Sequence, residues 1–272
     1  MCKKIHHLFH PKVGEIWCLH RVVNERSGFL SNKDLEITPS FLESLISEKL
    51  SQGYRFVDID TFVAAASRRW PGRKLINVSF DDGYQDVLSN AYPILKRYQI
   101  PFTLYVATDM PDGKADLWWL QLEKIAKGDA ICFERLMSQI VSSKTEFGKK
   151  MHQLTSTSVD LSYCEKNVLS WQQLAELASD SLCTIGSHGV SHKVMTLIPE
   201  KKVKHELAES KRRLENKLNI QVRHFSYPFS FYSQALNELV WQAGYSSAVI
   251  GYGDTTRHRV GSGLFYRRNI VQ

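Results

Sequence analysis

Leu75-Ile76-Asn77-Val78-Ser79-Phe80-Asp81-Asp82-Gly83-Tyr84 carries an apolar run that stops at two acids and a glycine. Leu75, Ile76 and Val78 predict a buried strand, so Asp81 and Asp82 emerge together at its tip. Gly83 permits a sharp turn immediately afterwards. On an extended chain, neighbouring side chains point in opposite directions. One carboxylate can therefore bind a metal ion while the other faces a substrate. Taken alone, Asp-Asp-Gly is more simply read as a helix N-cap followed by a turn acid.

Outward from this stretch, short apolar or β-branched runs alternate with helical patterns. Strands are predicted over 16–22, 56–59, Leu75–Phe80, 102–107, 182–186, 224–227 and Ser247–Ile250, with a last run over 264–271 able to close the set. A helix between the first two has Thr38 or Ser40 as cap and Pro39 in its first turn. Glu43 would complete a Ser40-x-x-Glu43 box. Phe41, Leu42, Leu45, Ile46 and Leu50 form its apolar stripe, and Gly53 ends it. A second helix follows Gly83, with Val87, Leu88, Ala91, Leu95 and Tyr98 inward and Pro93 kinking or dividing it. This alternation predicts a parallel sheet, open or closed into a barrel, with the site at the C-terminal strand ends. The stretch 111–181 breaks the rhythm. It is mostly helical in pattern and reads as an insertion at the barrel mouth, within one domain spanning 1–272.

Two further strand exits carry chemistry-bearing residues. Ile185-Gly186-Ser187-His188-Gly189-Val190-Ser191-His192 places two histidines four apart, able to meet one metal on a helix turn or in a tight loop. Gly189 stands where a zincin would need Glu. Arg223-His224-Phe225-Ser226-Tyr227-Pro228-Phe229-Ser230 contains a turn fixed by Pro228, which can offer a backbone N–H to a developing oxyanion. Singly, these are surface histidines and an aromatic core strand. Together with the paired acids they make one site. An Asp with two His is a suitable set for a catalytic Zn²⁺ with positions left open for water.

The 272 residues suit one large α/β domain, and 43% hydrophobic with 23% charged residues supports an ordinary core without disulfides. No apolar run is long enough for a bilayer. Residues 5–20 are interrupted by His6, His7, His10, Lys12 and Glu15, so no signal peptide is read. Cys2, Cys18, Cys132, Cys164 and Cys183 are odd in number with no C-x-x-C pair, which predicts reduced thiols and a cytoplasmic protein. Much of the net charge of +7 lies in Lys201, Lys202, Lys204, Lys211, Arg212, Arg213 and Lys217, on a helix with Val203, Leu207, Leu214 and Leu218 at helical spacing. That is a solvated helix face, or an attraction for an anionic partner such as a nucleotide-linked sugar or a phospholipid surface. No nucleic-acid-binding motif accompanies it.

In this order, each after a strand, the three segments resemble the polysaccharide deacetylase family of carbohydrate esterases. That family is marked by an Asp-Asp-Gly strand end, a His-x-x-x-His segment and an aromatic-proline turn. The likeness extends from Ile16-Trp17-Cys18-Leu19-His20-Arg21-Val22 to Arg267-Arg268-Asn269-Ile270-Val271. The resemblance implies a distorted (β/α)₇-type barrel, a divalent metal with zinc the first choice, and hydrolysis of N-acetyl groups. The implied substrate is the amino sugar of a polysaccharide or of its nucleotide- or lipid-linked precursor. Matched residue by residue, Asp81 takes the place of the general base, and Asp82, His188 and His192 those of the metal ligands. Phe229 takes the place whose backbone N–H helps form the oxyanion hole. The implied reaction has Asp81 taking a proton from a metal-bound water that attacks the acyl carbon, and an acid protonating the departing amine.

The chain departs from the family pattern at two places. Many members pair the base with an arginine of the third motif, where Ser226 stands here. Arg268 is the first candidate replacement, with Arg223 and Arg267 as alternatives. Many members also take a general acid from a late Leu-x-His motif. The only later histidine here is His258, in the polar stretch Thr256-Arg257-His258-Arg259. His20 becomes the candidate acid, or a hydrogen-bonded histidine beside the barrel mouth. Trp118 and Trp119 can stack on a sugar or fill a core. Two other classes of function fit the same residues: an amidase on a non-sugar C–N bond, and a catalytically weak glycan- or anion-binding protein.

Overall fold

β1 (Glu15–Leu19) is followed by a small parallel pair, β2 (Arg21–Val22) and β3 (Glu36–Ile37), which stands apart from the main sheet. Next come α1 (Pro39–Ser51), β4 (Arg55–Phe56), α2 (Ile59–Ala66), β5 (Leu75–Phe80), α3 (Tyr92–Arg97) and β6 (Phe102–Val106). Five helices intervene before the sheet resumes: α4 (Trp118–Ala126), α5 (Ala130–Val141), α6 (Phe147–Thr155), α7 (Ser162–Asn167) and α8 (Trp171–Ala178). The chain then runs through β7 (Cys183–Ser187), α9 (Glu200–Leu218), β8 (His224–Ser226), α10 (Gln234–Gln242) and β9 (Ser247–Ile250). It ends in β10 (Arg257–Val260), β11 (Gly263–Arg267) and β12 (Asn269–Ile270). The structure is a computed structural model and describes residues 14–26, 35–67, 74–115, 117–127, 129–143, 147–158, 160, 162–251, 257–260 and 263–271.

β1, β5, β6, β7, β8 and β9 are successive parallel neighbours. The final segment closes the ring. β11 pairs in parallel with β9 (Leu264 opposite Ser247), and β12 pairs in parallel with β1 (Trp17 opposite Asn269). Only Arg268 separates these two strands, so one stretch of chain touches both edges of the sheet. The Arg268 N–H donates to Ile250 O at 2.9 Å, and the Val271 N–H to Cys18 O at 3.3 Å. This is the single-domain distorted barrel that the sequence resemblance implies.

Side-chain alternation sorts the core into two sides of that ring. Trp17 and Leu19 of β1 join the large apolar cluster shared with the surrounding helices. Ile16 turns into a smaller cluster with Tyr105, Val249 and Tyr266. α2 closes the floor of the barrel by adding Ile59, Phe62 and Ala66 to that inner cluster. Asp58 caps α2, its Oδ1 accepting the Thr61 N–H at 2.8 Å. That cap is why the strand expected over 56–59 ends at Phe56.

α1 keeps its expected start but not its expected box. Thr38 Oγ1 accepts the Phe41 N–H at 3.2 Å, while Glu43 instead takes Arg97 Nη2 at 2.6 Å and the Tyr98 hydroxyl at 3.0 Å. Leu42 and Ile46 are buried, whereas Phe41 and Leu50 face solvent. After Gly83, Val87–Ala91 forms a π turn leading into α3. Pro93 has no N–H to give to the carbonyl four residues back, and the wider turn absorbs the gap. The polar stretch read as a loop around His258 contributes β10, which pairs antiparallel with β11 at the sheet edge. An edge strand needs no apolar alternation, which is why the sequence pattern did not mark it.

α4 to α6 build a separate apolar core around Trp118, Trp119, Phe133 and Ile140, and Phe229 packs at its border. On α9, Lys204, Lys211, Arg212 and Arg213 are ion-paired with acids, as on a solvated face. No described helix is long and apolar enough to cross a membrane.

Candidate active site

The C-terminal ends of β1, β5, β7, β8 and the β11–β12 junction converge at the barrel mouth. Asp81 and Asp82 follow β5 directly, and both are 3% exposed. The sequence reading assumed an extended backbone that sends the two carboxylates to opposite sides. The chain instead turns left-handed at Asp82 (φ 74°) and Gly83 (φ 97°). As a result both acids reach the same imidazole: His188 Nε2 lies 3.3 Å from Asp82 Oδ1 and 3.9 Å from Asp81 Oδ2.

His188 and His192 follow β7. The loop between them is not helical, because Gly189 (φ 82°) and His192 (φ 50°) are both left-handed. This reversal brings His192 Nε2 to 3.1 Å from Asp82 Oδ1. His188 Nδ1 lies 2.8 Å from Ser226 O. A carbonyl only accepts, so Nδ1 carries a proton, and in the neutral ring it is the Nε2 lone pair that faces Asp82. The donor atoms of Asp82, His188 and His192 all lie within 4.8 Å of one another.

These residues fit a cation on two counts. Asp82 Oδ1 is buried and receives no hydrogen bond although two imidazole nitrogens flank it. Burial opposes ionisation of Asp82, yet His192 and His188 hold its carboxyl well below the usual range. Burial also opposes a charge on His188, but Asp81 and Asp82 outweigh it and raise its pKa. The site thus draws positive charge to this point, and one carboxylate with two imidazoles is a common set for a divalent metal.

Asp81 is gripped separately. Arg268 donates from Nη1 to Oδ1 at 2.6 Å and from Nη2 to Oδ2 at 2.5 Å. The Ser226 hydroxyl donates to Oδ2 at 3.1 Å and accepts from Arg268 Nη2 at 3.0 Å. Arg268 also reaches Ser79 Oγ at 3.2 Å and Ile250 O at 3.3 Å, and its guanidinium lies 5.5 Å from the centre of the Tyr105 ring. Burial raises the Asp81 pKa, but the Arg268 charge overcomes it and the carboxyl is held below its ordinary value. Of the alternatives, Arg223 pairs with Asp60 at the other end of the barrel. The Arg267 side chain lies outside the described residues.

His20, at the end of β1, has a ring nitrogen within 4.8 Å of Asp81 and of the Cys18 thiol. Loss of water lowers its pKa, while Asp82 and Asp81 pull the other way. Burial pushes the Cys18 thiol up to about 12, so it stays neutral beside these charges. Phe229 has a left-handed backbone (φ 55°) in the turn after Pro228. Its ring lies 4.7 Å from that of His192. Trp118 and Trp119 are buried at 0% and 4%, not displayed for a sugar. Trp119 packs 4.8 Å from His192 and donates to the Tyr84 hydroxyl at 2.9 Å, while Trp118 stacks on Phe229.

Sequence reasoning missed Ser79 and Ser226 as polar partners inside the barrel. It also missed Glu206 and Ser210, which are buried on α9. A signal for the last two exists: with Val203, Leu207 and Leu214 they occupy one helical stripe, where an acid and a hydroxyl are out of place.

Comparison with known proteins places the chain in a family and a fold. The family model for polysaccharide deacetylase matches residues 68–248, more than half of the chain. YxkH of Bacillus subtilis, a polysaccharide-deacetylase-like protein, is 23% identical over 179 residues, covering 66% of this chain and 45% of that protein. Poly-β-1,6-N-acetyl-D-glucosamine N-deacetylase of Staphylococcus aureus is 29% identical over 100 residues, covering 33% of this chain and 34% of the relative. The matched region thus spans less than half the length of these relatives. Among solved structures, IcaB from Ammonifex degensii shares the fold with a TM-score of 0.63 at 22% identity, over 96% of this chain and 92% of the other. The Streptococcus pyogenes deacetylase PplD in complex with acetate gives 0.66 at 18% identity, over 96% and 93%. The chain belongs to the polysaccharide deacetylase family.

Proposed function

We propose that the protein is a metal-dependent carbohydrate deacetylase that hydrolyses N-acetyl groups on the amino sugars of a polysaccharide or its precursor. The observation that carries this is the three-donor cluster of Asp82, His188 and His192 beside a second carboxylate, Asp81, that is held by an arginine instead. The amino-sugar substrate is supported by the likeness to the poly-β-1,6-N-acetyl-D-glucosamine N-deacetylase of Staphylococcus aureus. Zinc is the first candidate for the metal, from the mixture of one carboxylate and two imidazoles.

Asp82, His188 and His192 would hold the ion. Bound there, a divalent metal supplies Lewis-acid polarisation of an acyl oxygen and lowers the pKa of a coordinated water. The chain's own residues do the rest. Asp81 is the general base, and the two-pronged contact from Arg268 fixes its plane and keeps it ionised at neutral pH. Ser226 adds a third hydrogen bond to the same oxygen pair. The turn at Phe229 offers a backbone N–H to the oxyanion, a kind of contact typically worth roughly 3–4 kcal/mol. His20, with a ring nitrogen within 4.8 Å of Asp81, is the group able to give a proton to the departing amine.

The test is acetate release from N-acetylglucosamine oligomers by protein stripped with a chelator and then reloaded with Zn²⁺. Turnover should vanish on stripping and return on reloading. Turnover on small non-sugar amides but not on these oligomers would point to an amidase. Turnover that survives complete stripping sinks the proposal.

A further inference from the structure

The structure assigns Glu206 the task of anchoring the loop that carries His188 and His192, so that its carboxylate sets how tightly the three-donor site takes up a divalent cation. This rests on the metal reading above.

Glu206 lies on the buried stripe of α9, 5% exposed, and Ser210 lies one turn further along, 0% exposed. A carboxylate withdrawn from water needs donors, and here all of them come from one place. Its Oε2 accepts the Val190 N–H at 2.7 Å and the Ser191 N–H at 3.0 Å. Its Oε1 accepts the Ser191 hydroxyl. Ser210 completes the attachment: Ser187 Oγ donates to its hydroxyl at 2.8 Å and accepts the Gly189 N–H at 3.2 Å. The end of β6 grips the other side of the loop. The Thr108 N–H donates to Gly189 O at 3.0 Å and the Asp109 N–H to Val190 O at 2.8 Å.

The donors to Glu206 sit between the two imidazoles. Both rings reach Asp82 only because the chain reverses at Gly189 and again at His192, a conformation disfavoured for a residue with a β-carbon. Such a loop keeps its shape only when something outside it enforces that shape. It also fits closely, since a β-carbon on Gly189 would meet Met195 Cε at 2.9 Å and Glu206 Oε2 at 3.3 Å. Ligands held in position beforehand lose less freedom when the ion arrives. Groups that orient metal ligands typically account for about tenfold to a hundredfold in affinity. Glu206 is therefore a positioning residue, acting through the backbone of 190–191.

The test is a titration of chelator-stripped protein with Co²⁺, read by calorimetry and by its visible absorption, at a temperature where circular dichroism shows every variant folded. Glu206→Ala should weaken binding by about tenfold to a hundredfold and change the Co²⁺ band. Glu206→Gln keeps one acceptor and should fall between. Leu214→Ala loosens the same helix without touching the loop and should leave affinity within about threefold, which separates positioning from general destabilisation. If Glu206→Ala does not fold, Glu206→Gln and Ser191→Ala carry the test, each expected to be several-fold weaker. Wild-type affinity in the Glu206 variants, or equal weakening by Leu214→Ala, overturns the assignment. Absence of any binding by the wild-type protein overturns the metal reading itself, and this one with it.

Discussion

At the floor of the barrel His224 is 1% exposed, yet both of its ring nitrogens are satisfied, Nδ1 by Ser247 Oγ at 2.8 Å and Nε2 by Asp60 Oδ1 at 3.1 Å. At the mouth, Asp82 and His192 are similarly buried, at 3% and 7%, but Asp82 Oδ1 and His192 Nδ1 have no hydrogen-bond partner. The backbones differ in the same sense. Asp82, His192, Phe229 and Ser230 are all left-handed, whereas Asp60, His224 and Ser247 are not. Unpaired buried polar atoms and disfavoured backbone conformations each cost free energy, and such features concentrate where a ligand completes the network. The His224 network is complete by itself, and the mouth is built to receive something.

The sharpest way to break this contrast is Asp82→Asn. Metal binding should stabilise the wild-type protein by about 4 kcal/mol at a thousand times Kd, read as a rise in melting temperature on adding Zn²⁺. The variant should lose that increment and all measurable deacetylation together. An Asp82→Asn protein that still gains stability from Zn²⁺ would show that the mouth is not completed by a metal at this residue.

Next in size is Arg268, which is 0% exposed and whose charge is matched by Asp81. Arg268→Met leaves a buried carboxylate without its partner, which typically costs about 3–5 kcal/mol. Denaturant unfolding measures this, and kcat should fall with it because the base loses its fixed orientation. Arg268→Lys keeps the charge but cannot make two parallel bonds, so stability should recover more than kcat does. Equal recovery of both would mean that charge alone, not geometry, holds Asp81.

Much of the mouth could be read from the sequence, because motifs at strand ends are contiguous in the chain. Asp81-Asp82-Gly83 and His188 to His192 each announce a strand exit, and Arg268 was reachable as a late cation facing a base with no partner. What the sequence hides is contact between segments that share no motif. Ser226 was read only as a missing arginine, yet its hydroxyl bridges Asp81 and Arg268. The sequence pattern of the basic helix does not by itself single out Glu206 as buried, because its burial depends on what α9 packs against. The left-handed turn at Asp82 escaped for a related reason: two consecutive acids read as extended chain, and tertiary contacts with the imidazoles override that local preference. Ring closure by β11 and β12 around Arg268 was legible only as a last apolar run. Its shared pairing with β9 and β1 is a property of the whole fold.

A smaller effect is expected at Ser226. Ser226→Ala removes one hydrogen bond to Asp81 and leaves both Arg268 contacts in place. The loss should be about 1 kcal/mol, seen as roughly a fivefold drop in kcat with little change in KM. A drop as large as that of Arg268→Met would mean that the serine, not the arginine, sets the position of the base.

The smallest effect belongs to the floor, and its sign follows from Asp60. The hydrogen bond from His224 holds the Asp60 carboxyl below its ordinary value of 3.8, against partial burial and with help from Arg223. The unfolded chain therefore binds the proton more readily than the folded one, so stability rises with pH in that window. The contribution is fully present above about pH 4 and disappears as pH falls through the lower folded value. The side chain is 39% exposed, so solvent screening keeps it well under about 1 kcal/mol. Asp60→Asn should flatten the acid limb of the unfolding curve below about pH 4, shift stability only slightly at neutral pH, and leave kcat and metal affinity unchanged. Lost metal affinity in this variant would show that the two ends of the barrel are coupled, and that the floor is not the self-sufficient network its hydrogen bonds describe.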